Sequence, residues 1–219
     1  MAITKYATAN WTDVYNVLHD NATEYFDTVT INISYNQIVC TVDDVNALIM
    51  SASNPLWSIR TKSGYSASAN TIGNIPSFVV VTSKGILIHS NPGISSANNP
   101  DDIFICKTDA GTLAFVVIGV RYGGVYYYDE FYSIDFENSP NCESFYSQAN
   151  ATNGVRNWLS PIRSRTQKTS FAKIPCVDYP STVEGVYQLT ATEYPDTYGV
   201  ITDENGKEYY INGSLALEE

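Results

Sequence analysis

The sequence predicts an α+β, β-dominated protein with an antiparallel sheet or sandwich as its core. An N-terminal helix packs on this core, and a C-terminal β-hairpin unit follows. Three observations predict this class: short apolar runs between residues 77 and 136, one apolar stripe of helical spacing near the N-terminus, and hairpin turns near the C-terminus. We expect a main domain over residues 1–175 and a small β-unit over residues 176–219, docked on that domain or on a neighbouring subunit.

The central stretch from Ser77 to Phe136 predicts consecutive antiparallel strands. Its apolar runs are rich in Val, Ile, Phe and Tyr and are bounded by turn residues. Ser83–Gly85 and Asp109–Gly111 are the predicted turns, each with a Gly that can adopt positive φ. The run from Leu113 to Val120 is continuously apolar. We therefore expect it at the centre of the sheet, covered on both faces.

The N-terminal helix is predicted from apolar residues that recur three and four positions apart. Asn10 is the expected N-cap, and Asp13 lies near the positive end of the helix dipole. His19 falls off the apolar stripe and is expected in solvent. The stripe comprises Trp11, Val14, Tyr15, Leu18, Ala22, Tyr25 and Phe26.

Two further elements are predicted between residues 28 and 49. Thr28 to Tyr35 alternates apolar and polar residues, which predicts a half-buried strand with Val29, Ile31, Ile33 and Tyr35 on one side. Thr41 followed by Asp44 predicts the cap of a second short helix, which would carry Val45, Leu48 and Ile49. Asp43 and Asp44 could also be a catalytic carboxylate pair, but the helix dipole already favours acids in a first turn.

Ser63–Ser77 and Ser90–Asp102 are rich in Gly, Ser and Asn and are predicted to be loops. Loops of this length often bind ligands or form interfaces. Both precede core strands, so we expect them at one edge of the sheet. Asp101 and Asp102 form another acidic pair, although solvated Asp is ordinary at a strand entry. His89 ends a strand beside the second loop, where a structural or solvated role is expected over that of a catalytic base.

The C-terminal stretch from Thr182 to Leu217 predicts a small antiparallel unit. Asn205-Gly206 and Asn212-Gly213 are its hairpin turns. A unit of two to four short strands is marginally stable alone, so we expect it to dock on the core or on another chain.

Charge and composition restrict the partners. The net charge of −11 disfavours nucleic acid and anionic membrane surfaces. No apolar signal segment or membrane span is evident, so we expect synthesis in a cytoplasm. No metal or cofactor is predicted, because Cys40, Cys106, Cys142 and Cys176 lack paired spacing. Cys106 is expected to be a small buried residue.

Residues 144–177 form a basic segment with no acidic residue and five of the twelve Lys and Arg residues of the chain. We expect this segment to meet an acidic face of a neighbouring copy. Neutralisation of acids in the same subunit is the alternative. The interface candidates are Arg156, Arg163, Arg165, Lys168 and Lys173.

The run from Val125 to Phe136 is the densest aromatic patch. Tyr126, Tyr128 and Tyr132 share one face of the predicted strand. Together with Trp57 they are candidates for a glycan-stacking platform. A cross-strand tyrosine ladder that stabilises the sheet is the alternative.

Catalytic signatures are missing from the sequence, including GxSxG, HExxH, P-loop and GxGxxG motifs. With only two His residues, a triad has few available bases. We therefore predict no enzymatic activity. A pair of glycosidase carboxylates remains open, because such a pair has no sequence signature.

The two ends of the chain, MAITKYATANW and YGVITDENGKEYYINGSLALEE, resemble virion structural proteins of bacteriophages and prophages of gut bacteria. This resemblance implies a capsid- or tail-associated component of the virion that contacts copies of itself and other virion proteins. The sequence therefore predicts a non-enzymatic virion structural protein. A glycan-binding β-domain is the alternative.

Overall fold

The computed structural model describes residues 2–52, 57–64, 66–69, 75–89, 102–123, 126–138, 157–158, 170–175, 181–190, 199–203, 205–212 and 215–219. These residues form one α-helix, one 3-10 turn and seventeen strands in two antiparallel sheets. The predicted β-dominated class is confirmed.

The helix α1 spans Trp11–Asn21, and the 3-10 turn spans Ile33–Tyr35. The strands are β1 (Thr4–Ala7), β2 (Thr28–Asn32), β3 (Gln37–Val42), β4 (Val45–Ser51), β5 (Trp57–Arg60), β6 (Ser66–Ala69), β7 (Phe78–Val81), β8 (Ile86–His89), β9 (Asp102–Thr108), β10 (Leu113–Gly123), β11 (Tyr126–Asp135), β12 (Asn157–Trp158), β13 (Ser170–Pro175), β14 (Thr182–Thr190), β15 (Gly199–Thr202), β16 (Glu208–Asn212) and β17 (Leu215–Glu218).

Helix α1 begins as predicted. The Asn10 side chain accepts a hydrogen bond from the Asp13 N–H at 2.9 Å, while the Asp13 carboxylate accepts one from the Ala9 N–H at 2.8 Å. The helix ends at Asn21, earlier than the apolar stripe. Tyr25 and Phe26 reach the core from the following turn, in which both N–H groups donate to the Ala22 carbonyl at 3.0 Å. His19 is exposed, as predicted.

The larger sheet has twelve strands, and β9 lies at its centre. Strand β10 pairs with β9 over residues 102–107, and β11 pairs with β10. Strand β8 pairs with residues 103–105 of β9, and β14 pairs with residues 107–108. The strands predicted between residues 77 and 136 are therefore confirmed.

Both faces of the central strands are covered. Alternate residues of β7, β8, β9 and β10 enter two separate core clusters, because consecutive side chains of a strand point to opposite faces. Helix α1 and the five-stranded sheet cover one face, and strands β14, β16 and β17 curl over the other. Residues 113–117 are buried, as predicted for the central run. The side chains of residues 118–120 lie outside the described part.

The first core cluster includes Trp11, Val14, Leu18, Ile38, Leu48, Trp57, Ile59, Val79, Ile86, Ile105, Phe115 and Val117. The second core cluster includes Phe78, Val80, Leu87, Phe104, Cys106, Ala114, Val116, Val183, Val186, Tyr210, Leu215 and Leu217.

The smaller sheet has the order β2-β3-β4-β5-β6, and it corrects one prediction. The expected second helix is wrong, because Val45–Ser51 forms strand β4. Asp43 and Asp44 have φ of +48° and +62° and connect the paired residues Val42 and Val45. Two central residues with positive φ are typical of a tight hairpin turn, and Asp tolerates this conformation. The Asp43-Asp44 pair is therefore a turn, not a helix start.

A second correction concerns residues 63–77, predicted as one loop. This stretch contains β6, which pairs with β5. Ser66 lies opposite Arg60 at one end of this pairing, and Ala69 lies opposite Trp57 at the other. Ser and Ala have little strand preference of their own. Pairing with β5 therefore decides the conformation of these residues, and sequence composition did not reveal it.

The C-terminal strands dock on the core through β14. The Gly185 backbone has φ of +78°, and a β-carbon there would lie 2.6 Å from Cβ of Lys84. Glycine therefore permits the close approach of β14 to the β7–β8 turn. The β15–β16 hairpin and the β16–β17 pairing form as predicted. The predicted domain boundary adjoins residues 176–180, which lie outside the described residues.

Within the described parts of the chain, no helix combines the length and apolarity needed to cross a membrane.

Candidate functional site

Strand β2 lies at one edge of the five-stranded sheet. Among the described strands it pairs with β3 alone. Thr28 lies opposite Thr41 at one end of this pairing, and Asn32 lies opposite Gln37 at the other. Thr28, Thr30 and Asn32 are exposed, while Val29 and Ile31 pack against the first core cluster. An edge strand with an exposed face offers backbone N–H and C=O groups to another strand.

Two large apolar side chains stand next to this edge. Ile33 is 72% exposed and Tyr35 is 71% exposed. The sequence prediction for these two residues was wrong, because β2 ends at Asn32 and the chain continues as the 3-10 turn. Asn36 adopts left-handed φ and ψ of 45° and 50°, and its N–H donates to the Ile33 carbonyl at 3.2 Å. This turn ends the alternation and directs both side chains outward.

The turn could have been recognised from its composition. Asn32, Ser34 and Asn36 surround the two apolar residues, and all three are of types that favour turns. We name Thr28–Tyr35, which comprises β2 and the 3-10 turn, the β2 edge. An open strand edge beside exposed apolar side chains is a surface suited to protein association.

A buried polar pair joins the ends of β8 and β9. Nδ1 of His89 lies 2.6 Å from Oδ1 of Asp102, and both side chains are almost fully buried. A proton on Nδ1 makes this contact a charge-assisted hydrogen bond. The structural alternative for His89 agrees with this geometry. The expectation of a solvated Asp102 is wrong, because the carboxylate pairs with His89 in the interior.

Aromatic rings enclose this pair. Phe78 stacks on His89 with ring centroids 4.4 Å apart, and Tyr210 meets Phe78 edge-on at 6.1 Å. The Nζ atom of Lys5 lies 3.9 Å from the Phe78 ring centroid. Burial, and then the nearby Asp102 charge, raise the pKa of Tyr210 to about 12. Enclosure by these rings shields the His89–Asp102 pair from water, which suits a structural bond between two strand ends.

A second buried carboxylate, Asp135, also organises the fold. Thr112 Oγ1 and Ser181 Oγ donate to it at 3.2 and 3.1 Å. The N–H groups of Glu137 and Asn138 and the Asn138 side-chain amide donate as well. Asp135 thereby joins the end of β11 to the β9–β10 turn and to the start of β14. Sequence reasoning missed this role, although Asp followed by bonds to residues two and three positions on is a known turn device.

A cleft of about 330 Å³ opens beside this network. Leu113 and Phe136 supply apolar walls, and Glu24 and Glu137 lie at its rim with Lys107. Lys107 contacts Glu24 at 3.2 Å, and Glu137 contacts Lys62 at 3.2 Å. Hydrogen bonds to Asp43 and Glu137 raise the pKa of Lys62. Lysine and glutamate side chains around this cleft therefore form ion pairs with each other.

Most of the predicted interface and glycan residues cannot be placed. The side chains of Tyr126, Tyr128 and Tyr132 lie outside the described part, although their backbone belongs to β11. Arg156, Arg163, Arg165 and Lys168 also lie outside it. The predictions for these residues stay predictions.

Trp57 and Lys173 are the two predicted site residues that can be placed in full. Trp57 is 1% exposed in the first core cluster, so the expectation that it stacks against a glycan is corrected. Lys173 is exposed on β13. Hydrogen bonds from Thr182, and to a smaller extent the charge of Lys173, lower the pKa of Asp109. The structure brings none of the placed candidates onto the β2 edge.

The described cysteines are core residues. Cys40 and Cys106 are both buried, as predicted for Cys106. Burial raises the pKa of the Cys40 thiol to about 12. No group of three or more His, Cys, Asp or Glu side chains suited to a metal occurs among the described residues. Cys142 and Cys176 lie outside them.

Comparisons with protein-family models, curated proteins and solved structures found no match to this chain.

Proposed function

We propose that this protein is a non-enzymatic structural component of a bacteriophage virion, capsid- or tail-associated, that works in multiple copies through protein–protein interfaces. The observation that carries the proposal is the β2 edge, where Ile33 and Tyr35 stand more than two-thirds exposed beside an open strand. The virion assignment is supported by the resemblance of the two chain ends.

The energetics favour a partner on this surface. Burying one large apolar side chain is worth about 1.5–3 kcal/mol, so Ile33 and Tyr35 together could contribute several kcal/mol to association. A net charge of −11 also opposes association between copies, most strongly at low salt. Contact through an uncharged apolar surface keeps the like charges of two copies apart.

The buried polar groups support the same proposal. His89, Asp102 and Asp135 connect strand ends and turns, and each has hydrogen-bonding partners inside the fold. These hydrogen bonds explain the burial of all three residues by a structural role. Among the described residues, Ile33 and Tyr35 at the β2 edge are highly exposed apolar side chains that the fold of the single chain does not explain.

The proposal is tested by light scattering on the purified protein over a range of concentrations, together with quantitative mass spectrometry of purified phage particles. The expected results are a solution mass that is a multiple of the 24.2 kDa chain and several copies per particle. A strict monomer that is absent from particles would contradict the proposal.

A further inference from the structure

We propose that β2 pairs antiparallel with β2 of a second copy, across a two-fold axis at Thr30. The inference rests on the proposed function, because it assumes that the protein acts in multiple copies, and it names the partner and the register. Strand addition at an open edge is a common mode of protein association.

The composition of β2 fits a second copy of the same chain. The strand reads Thr-Val-Thr-Ile-Asn and carries no charge, in a protein of net charge −11. Like charges directly opposite each other destabilise strand pairs. An uncharged strand is therefore a segment where two acidic copies can approach each other without that penalty. Alternate residues of an edge strand direct their backbone N–H and C=O groups away from the strand already paired, so part of the backbone of β2 faces the free edge.

The sequence is self-complementary in the antiparallel direction. With Thr30 opposite Thr30, Thr28 faces Asn32 and Val29 faces Ile31 of the other copy. The exposed residues then lie on one face and the partly buried residues on the other, as a continuous sheet requires. The same register places Asp27 opposite Ile33. Parallel in-register pairing would instead bring Asp27 next to Asp27.

The 3-10 turn adds apolar contact at both ends of this strand pair. Ile33 directly follows β2, so each copy brings its exposed Ile33 to the start of the other copy's strand. The surface therefore combines backbone hydrogen bonds with burial of apolar side chains.

Strands β1, β13 and β15 are also edge strands, and they suit self-pairing less well. Strand β1 carries Lys5, which already lies over the Phe78 ring. Strand β13 carries the exposed Lys173. Strand β15 is uncharged and exposes Val200, but its four residues offer a shorter edge than the five of β2. We use Val200 as the matched control.

Disulfide cross-linking tests the register. In a background with Cys142→Ser and Cys176→Ser, the full chain carries Thr30→Cys, Thr28→Cys, Asn32→Cys or Val200→Cys. Side chains directly opposite on antiparallel strands have Cβ atoms about 4.5–5.5 Å apart, close to the separation in a disulfide. Under mild oxidation Thr30→Cys should form dimers, and Thr28→Cys should cross-link efficiently only when mixed with Asn32→Cys. Val200→Cys should stay monomeric on a denaturing gel.

Two cross-linking results would overturn the inference. Self-cross-linking of Thr28→Cys and of Asn32→Cys would show parallel pairing. Cross-linking of Val200→Cys in place of Thr30→Cys would place the interface on β15.

Charge placed at the two-fold axis gives an independent test. Thr30→Lys puts two lysines opposite each other, so we expect association at least tenfold weaker by sedimentation velocity. The melting temperature should be unchanged at a concentration where both proteins are monomeric. Thr202→Lys on β15 is the control. If the wild type associates and Thr30→Lys associates equally well, the β2 pairing fails and the multi-copy function stands. A wild type that stays monomeric at all concentrations overturns both.

Discussion

Two pairs of side chains depart in opposite ways from the usual distribution of polar and apolar residues. One pair is His89 and Asp102 in the interior, and the other is Ile33 and Tyr35 at the β2 edge. The first pair is polar and almost fully buried, whereas the second is apolar and more than two-thirds exposed. Buried polar groups and exposed apolar patches are both informative, because each costs free energy unless a partner compensates for it.

The partner of the polar pair lies within the chain. His89 and Asp102 bond to each other at 2.6 Å, and Phe78 covers the imidazole ring. Ile33 and Tyr35 project outward from a turn that Asn36 closes. The interior pair therefore serves the fold, and we infer that the exposed pair serves association. Variants that separate stability from association test this division.

The largest effect is expected for Asp102→Ala. Removing one partner of a buried pair leaves the other polar group without compensation, which costs about 3–5 kcal/mol in the free energy of unfolding. Urea unfolding measures this loss. Glu184→Ala is the control, because its ion pair with Lys84 is solvent-exposed and should contribute at most about 1 kcal/mol. If both variants lost the same free energy of unfolding, burial would not make the His89–Asp102 interaction stronger than an exposed ion pair.

A smaller loss is expected for Asp135→Asn. The substitution keeps the size of the side chain but removes its charge and replaces one acceptor oxygen by an NH₂ group. Hydrogen bonds to charged groups contribute about 1.5–3 kcal/mol, so we expect a loss of about 2 kcal/mol in urea unfolding. A loss below about 0.5 kcal/mol would mean that Asp135 does not hold the β9–β10 turn and β14 together.

Acid should weaken the fold through Asp109 and Asp203. Hydrogen bonds from Thr182 lower the pKa of Asp109, and backbone N–H groups of Lys207 and Asn205 lower that of Asp203, both from 3.8. Because the folded-state pKa lies below the unfolded value, the stabilisation is present above pH 3.8 and is lost as the pH falls through the folded-state pKa.

Thermal melts at about pH 5 and about pH 3 measure this loss. Asp109→Asn should show a smaller drop between the two conditions than the wild type does. Identical drops would argue against a contribution from Asp109.

The smallest effect on stability is expected for the double variant Ile33→Ser/Tyr35→Ser. Both side chains are mostly exposed in the single chain, and such substitutions usually change the free energy of unfolding by less than about 0.5 kcal/mol. Urea unfolding at low protein concentration measures this value. A loss above about 2 kcal/mol would show that the two side chains support the fold of the chain itself.

Much of the fold could be predicted because local patterns and tertiary packing agree over most of the chain. The helix cap at Asn10, the apolar runs after Ser77 and the Asn205-Gly206 turn each specify one conformation locally. Residues 45–51 and 66–69 were missed, because pairing with neighbouring strands decides their structure. Asp44 is compatible with both a helix start and a hairpin turn, and only the left-handed backbone distinguishes the two.

The candidate site was harder to predict than the fold. Strict alternation assigned Ile33 and Tyr35 to the buried side of a strand, although Asn32, Ser34 and Asn36 indicate a turn. The pairing of His89 with Asp102 depends on a contact between residues thirteen positions apart, which no sequence period encodes.

Sedimentation velocity on the wild type and on Ile33→Ser/Tyr35→Ser, at matched concentrations, tests the central claim most directly. Val200→Ser is the control, because Val200 is another exposed apolar residue at a sheet edge. We predict that the wild type and Val200→Ser sediment as oligomers, while the double variant sediments as a folded 24.2 kDa monomer. Identical sedimentation of the wild type and the double variant would contradict an association surface at the β2 edge.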